Sequence, residues 1–172
     1  MKFYETTVKE TVIYNGNYLD LINVDVKLPD GNLSNRDIIK HPGACAIIPF
    51  LTDNQVILIE QFRKPLEKTI LEIPAGKLDK NEEIINCAHR ELEEETGYKA
   101  KEMIYLGSIA TAPGFCDEII HLYKATNLYK GTKSCDEDEF TDIKIFTLDE
   151  IKDMIRNGDI IDTKTISILS FL

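Results

Sequence analysis

The chain of 172 residues carries 30 acidic side chains against 20 Lys and Arg, a formal net charge of −10, with 43% hydrophobic and 29% charged residues. This is the composition of one ordinary domain with enough apolar material for a core, which excludes a fibre or a disordered tail. The acidic surplus opposes binding along a nucleic-acid backbone, where Lys and Arg must displace condensed counterions.

The chain opens MKFYETTVKE, without the apolar core of a signal segment. A strand is predicted over 6–14, a turn at Tyr14-Asn15-Gly16-Asn17, and a second strand where Ile22, Val24, Val26 and Leu28 alternate up to Pro29-Asp30-Gly31. Two short strands do not make a stable unit alone. Residues 1–40 are therefore expected to pack on something else, and a partner subunit is one candidate.

His41-Pro42-Gly43 then punctuates the chain, and residues 41–172 are expected to form the main domain. Apolar runs at 46–50 and 56–62, parted by Thr52-Asp53-Asn54, predict a buried hairpin, and 70–73 a short strand ended by Pro74. A helical period follows over 80–96, with further strands at 103–110, 118–125 and 140–147. Two short helices close the chain, one over 148–157 with a Thr147-x-x-Glu150 capping box and a Gly158 stop, the other over 163–171. The expected class is α+β, an α/β/α sandwich with a mixed sheet between helices and an N-terminal antiparallel β-hairpin subdomain.

The longest apolar run, Ala44 to Leu51, has eight residues, far short of the roughly 18 that a membrane helix needs. Cys45, Cys87, Cys116 and Cys135 form no C-x-x-C pair and read as reduced thiols of a cytoplasmic protein. His41, His89 and His121 stand apart from one another and read as structural or solvent-facing.

Residues 79–97 carry the strongest signal. Asp79-x-x-Glu82 has the form of a capping box, and Gly97 sits where a left-handed C-terminal cap belongs. On a helix turning about 100° per residue, Ile84, Ala88, Leu92 and Ile85 define the core-facing stripe. Glu95 falls inside that stripe and Glu91 beside it, whereas Glu93 faces away and reads as a solubilising charge. Two unit charges about 4 Å apart repel by about 4 kcal/mol at an effective dielectric of about 20. Either the helix is a solvated acidic one held by Arg–Glu pairs, or a cation sits between Glu91 and Glu95, with Glu94 beside them and Arg90 able to hold Glu94 across one turn. Carboxylate ligands without His or Cys select a hard ion, Mg²⁺ or Mn²⁺.

Written out, Gly76, Glu82, Arg90, Glu91, Glu94, Glu95 and Gly97 fill all seven fixed positions of the pattern G-x5-E-x7-R-E-U-x-E-E-x-G-U, with Tyr98 at the last position, where an aliphatic residue is usual. The chain thereby resembles the Nudix hydrolases. Pro113, 16 residues after Gly97, together with Arg36-x-x-x-x-His41-Pro42-Gly43, Glu60-Gln61-Phe62-Arg63 and Leu71-Glu72-Ile73-Pro74-Ala75-Gly76, is similar to the ADP-ribose pyrophosphatase subfamily.

The resemblance implies Mg²⁺-dependent hydrolysis of ADP-ribose to AMP and ribose 5-phosphate, with Mn²⁺ as a substitute. The alternatives are another nucleoside diphosphate sugar, such as GDP-mannose, or a non-catalytic ADP-ribose sensor. It implies metal ligation by Glu91, Glu95, Glu94 and the Ala75 carbonyl, with Glu82 supporting the helix. It implies a general base from the acidic segment 136–139, with Glu137 preferred and Glu139 the other candidate. Among substrate contacts it implies Arg63 for phosphate or ribose, Glu72 for adenine N–H or ribose hydroxyls, Tyr18 and Arg36 for an adenine sandwich shared between subunits, and Pro113 in the substrate loop. A homodimer through the N-terminal strands is also implied, with neither nucleic acid nor membrane as partner.

Overall fold

The computed structural model describes residues 3–134 and 140–172. Contacts divide the chain into two units, one comprising the chain up to Gly43 together with Ala110–Ile119, the other Ala44–Ile109 with Ile120–Leu172.

The first unit is an antiparallel sheet of three strands, β1 (Thr6–Asn15), β2 (Asp20–Lys27) and β3 (Leu33–Lys40), in that order. Alternation along β2 buries Ile22, Val24 and Val26, with Leu28 and Ile38 against them. The expected turn at Pro29-Asp30-Gly31 forms, whereas the first turn lies at 16–19, two residues later than expected, because Tyr14 and Asn15 still pair with β2. Gly16 N–H donates to the Leu19 carbonyl at 3.0 Å, and Gly31, at φ 92°, donates to the Leu28 carbonyl at 2.9 Å. Where a two-stranded hairpin was expected, β3 adds a third strand. Its sequence hides it, because Leu33 is exposed and the face shared with Asn23 is built from Asn35 and Asp37, which bond across the strands instead of alternating with apolar residues. Segment Ala110–Ile119 belongs here because Ile39 N–H donates to the Phe115 carbonyl at 2.7 Å, Asp117 N–H donates to the Ile39 carbonyl at 3.1 Å, and Lys40 pairs with Asp117.

The second unit holds two sheets. One has the order β10 (Thr141–Thr147), β5 (Gln55–Arg63), β6 (Lys68–Glu72) and is antiparallel. The other has the order β7 (Ala75–Lys77), β4 (Ala44–Pro49), β9 (Ile119–Lys130), β8 (Tyr98–Ala110), with β4 and β9 parallel. The apolar runs expected to form one hairpin are thus β4 and β5, and they lie in different sheets, joined by a single bridge between Phe50 and Val56. The physical reason is burial on both faces. Every residue of β4 is buried, one set of side chains meeting Val56 and Leu58 of β5 and the other meeting the helix side.

That helix, α1 (Ile84–Thr96), packs Cys87, Ala88 and Leu92 on Cys45, Ile47, Tyr123 and Ala125. It begins later than expected. Asn81 takes φ 67° and breaks the helical path, and although the Glu82 carboxylate accepts Asp79 N–H at 3.1 Å, the N-cap is Glu83 without a side-chain cap. Gly97, at φ 68°, closes α1 as expected by donating to the Glu93 carbonyl. The other core cluster takes Ile151 of α2 (Leu148–Asn157) and Ile168 of α3 (Thr163–Ile168). The predicted Thr147–Glu150 capping box and Gly158 stop of α2 are both formed, and the last predicted helix ends in a 3-10 turn over Leu169–Phe171.

Candidate active site

Glu91 and Glu95 are 8% and 2% exposed, as the overlap of their positions with the apolar stripe requires. Each carboxylate is offset by a different neighbour. Glu95 Oε2 accepts the Ala75 N–H at 2.9 Å, and Glu91 Oε1 accepts from Arg90 Nη1 at 2.6 Å. The β7 strand passes close over the helix only because residue 76 is glycine. A Cβ at that position would lie 1.8 Å from Glu91 Oε1.

Arg90 is the hub of the helix. Its Nε and Nη2 donate to the two oxygens of Glu82 at 2.9 and 2.8 Å, Nη1 also reaches Glu94 Oε2 at 3.0 Å, and Nη2 reaches the Lys77 carbonyl at 3.1 Å. The expected Arg90–Glu94 bond is therefore one of several. The hydrogen bonds from Arg90 hold the Glu82 carboxyl at about 2, well below its usual 4.5, against the opposing effect of burial. Glu82 and the other acids raise the Arg90 pKa in turn. Glu93 does more than solubilise, because it pairs with Lys99 at 3.1 Å and accepts the Thr132 N–H at 3.2 Å.

All the expected metal donors are oxygens, which suits a hard divalent ion. Glu91 and Glu95 meet β7 at Gly76 and Ala75, where the Gly76 cradle makes room for the Glu91 carboxylate, and Glu94 shares Arg90 Nη1 with Glu91. Among the described residues no three acidic, His or Cys side chains already converge as a ligand cage, since Glu91 is drawn to Arg90 and Glu95 to a backbone N–H. The donor set fits such an ion.

On the neighbouring sheet, Arg63 ends β5 and Glu72 ends β6. Arg63 Nε and Nη2 donate side-on to Glu72 Oε1 and Oε2 at 2.8 and 2.9 Å. Glu72 is 1% exposed while Arg63 is 38% exposed, so an interior acid anchors a guanidinium that reaches the surface. Burial works against the Arg63 charge, but the hydrogen bonds and charge of Glu72 outweigh it and raise the pKa, with Glu95 and Asp162 adding to the effect. Lys164 and Asp162 complete the cluster around Glu72. Nothing in the sequence marks Lys164, because lysine in a short terminal helix ordinarily points to solvent. Asp162-x-x-Thr165 is a legible capping pattern, and Asp162 does cap α3 by accepting Thr165 N–H.

The remaining expected contacts belong to the first unit. Tyr18 is exposed and meets His41 edge-on at 6.0 Å. Arg36 pairs with Glu5 at 2.6 Å, and together with Pro113 lines a cavity of about 480 Å³. Glu137 and Glu139 lie outside the described residues. The chain on either side of them is tied to the last turn of α1, where Ser134 N–H donates to the Glu94 carbonyl at 3.1 Å and Thr141 Oγ1 to the Glu95 carbonyl at 3.5 Å.

No helix is long and apolar enough to cross a membrane among the described residues, and Cys45, Cys87 and Cys116 are free thiols.

The sequence profile of the NUDIX domain matches residues 40–166. A Bacillus methanolicus protein named methanol dehydrogenase activator is 49% identical over 99% of this chain and 93% of its own length. An ADP-ribose pyrophosphatase of Bacillus subtilis is 43% identical over 98% of this chain and 92% of its own. The crystal structure of an ADP compounds hydrolase superposes with a TM-score of 0.85 over 97% of this chain and 91% of its own, at 22% identity, a likeness of fold.

Proposed function

The chain belongs to the NUDIX family and is a hydrolase, and from that premise we propose that it splits ADP-ribose into AMP and ribose 5-phosphate with Mg²⁺, for which Mn²⁺ can substitute. The observation that carries this reading is the pair of buried carboxylates, Glu91 and Glu95, against the Ala75–Gly76 backbone. The 43% identity to an ADP-ribose pyrophosphatase over nearly the whole chain supports the choice of substrate.

Glu91, Glu95, Glu94 and the Ala75 carbonyl would hold the metal. When bound, it offsets the charge of the diphosphate and lowers the pKa of water. Arg63 offers its outer guanidinium edge to a phosphate or ribose oxygen, and Glu72 keeps that edge turned outward. Glu137, or Glu139, takes the proton of the attacking water. The anchoring of Ser134 and Thr141 at the Glu94 and Glu95 carbonyls supports this assignment, because a base must come within about 3 Å of that water. Tyr18 and Arg36 bracket the adenine in a homodimer joined through the N-terminal sheet, and Pro113 shapes the substrate loop. The free thiols support a reducing, cytoplasmic setting.

The deciding experiment is turnover with Mg²⁺ across a panel of nucleoside diphosphate sugars. ADP-ribose is expected to lead; a preference of more than about tenfold for GDP-mannose would overturn the substrate assignment. Retention of every acid of the motif weighs against a sensor that binds without hydrolysis.

The identity of 49% to a protein named for activating a methanol dehydrogenase favours a second reading, in which the same hydrolase acts on such an enzyme. Adding the chain to a purified methanol dehydrogenase, with and without Mg²⁺, tests it. No change in dehydrogenase rate would remove this reading and leave the first intact.

A further inference from the structure

Lys164, the second residue of α3, is 7% exposed. Removing an ammonium group from water costs several kcal/mol, and a buried ion pair often does no better than apolar side chains of the same volume. The placement of this charge therefore calls for a reason other than stability.

Its surroundings supply one. Lys164 Nζ donates to Glu72 Oε2 and, at 3.0 Å, to Asp162 Oδ1. Glu72 in turn accepts from Arg63 Nε at 2.8 Å and Nη2 at 2.9 Å. Two acids and two bases thus form a chain, Asp162–Lys164–Glu72–Arg63, that starts at the cap of α3 and ends in a guanidinium at the surface. Because Arg63 spends Nε and Nη2 on Glu72, its Nη1 has no partner among the described residues. Arg63 meets both oxygens of Glu72 from a side chain that is 38% exposed, so water competes for that pair of bonds from the surface side. Lys164 engages one oxygen from the interior and holds the carboxylate in the orientation that meets both guanidinium donors.

The same turn of α3 also reaches the metal side of the site. Thr165 Oγ1 accepts the Ile73 N–H at 2.9 Å and donates to Asp162 Oδ2 at 2.6 Å. Ile73 lies two residues before Ala75, whose N–H holds Glu95.

We infer that Lys164 is a positioning residue for substrate binding: it fixes Glu72 so that Glu72 aims the Nη1 edge of Arg63 at an anionic oxygen of the substrate. This rests on the proposed role of Arg63 in binding a nucleoside diphosphate sugar.

The test is steady-state hydrolysis of ADP-ribose with Mg²⁺ by the native chain, Lys164→Met, Lys164→Arg, Arg63→Ala and the double variant Arg63→Ala/Lys164→Met. Lys164→Met is expected to raise KM about tenfold while kcat stays within about threefold, since misplacing a clamp costs binding geometry first. Lys164→Arg, which keeps the charge, is expected to restore most of the loss. In the Arg63→Ala background, Lys164→Met is expected to add nothing, because there is no guanidinium left to aim. An equal rise in KM in both backgrounds, or a fall in kcat as large as that in kcat/KM, overturns the proposal.

A second measurement does not depend on the substrate. The ¹H–¹⁵N resonance of Arg63 Nε, identified by its loss in Arg63→Lys, is expected to be protected from exchange in the native chain and to lose that protection in Lys164→Met. Unchanged protection overturns the proposal. If the native chain hydrolyses none of the nucleoside diphosphate sugars, the functional reading falls, and this resonance still decides whether Lys164 fixes Arg63. Should Lys164→Met fail to fold, Lys164→Gln replaces it in every comparison.

Discussion

The carboxylate of Glu91 occupies the volume that a side chain at residue 76 would need: a Cβ on Gly76 would lie 1.8 Å from Glu91 Oε1 and 2.2 Å from Oε2. Gly76 is absent from the positive-φ residues, so space and not backbone freedom demands the glycine. The strand carrying the Ala75 carbonyl and the helix carrying the glutamates can meet only if one of them lacks a side chain at the contact.

Gly76→Ala is therefore expected to push Glu91 aside. Hydrolysis of ADP-ribose should fall by about a hundredfold or more, since an ångström of misplacement in a preorganised site is that costly. The Mg²⁺ concentration for half-maximal rate should rise, as read from a metal titration. An alanine variant with native turnover and native Mg²⁺ dependence would sever Glu91 from the metal role.

Glu95→Gln keeps the shape of a side chain that accepts the Ala75 N–H, and removes its charge. The fold should survive, while kcat falls by about a hundredfold or more and saturating Mg²⁺ fails to restore it. Turnover equal to that of the native chain would contradict the assignment.

The Glu82–Arg90 clamp predicts an acid dependence. Glu82 titrates at about 2 in the folded chain against an ordinary 4.5. Between those values the unfolded chain holds the proton and the folded chain does not, so stability falls as pH drops through this window. The difference in Tm between the native chain and Glu82→Gln should be full above pH 4.5 and shrink toward pH 2. A difference independent of pH would show that the carboxylate charge contributes nothing.

All ten residues of β1 are exposed, Val8, Val12 and Tyr14 among them, and β1 is an edge strand. Exposed edges carrying apolar side chains invite a second chain. Light scattering coupled to size exclusion should give the mass of two chains, and Val12→Lys should shift it toward one. A single-chain mass for the native protein would remove the dimer.

Much of the candidate site was legible because α1 obeys a simple period. Glu91 and Glu95 recur with the apolar residues, and their burial follows from their positions on the helix. The Thr147 cap and Gly158 stop were equally legible, since caps are local interactions within a few residues. The start of α1 was not, because Asn81 takes φ 67° and breaks the helical path, so the helix begins after Glu83 even though Glu82 accepts the Asp79 N–H.

The sequence by itself determined the pattern on which the proposed chemistry rests: carboxylates at helical spacing on an apolar face, with a glycine ahead of them. The tertiary structure alone decided which sheets β4 and β5 join, that β3 completes the first unit, and that Lys164 lies against Glu72, 92 residues earlier. The division has a physical cause. Period and capping are set by neighbours along the chain, whereas strand partners and buried ion pairs are set by burial, which brings together residues that no spacing in the sequence relates.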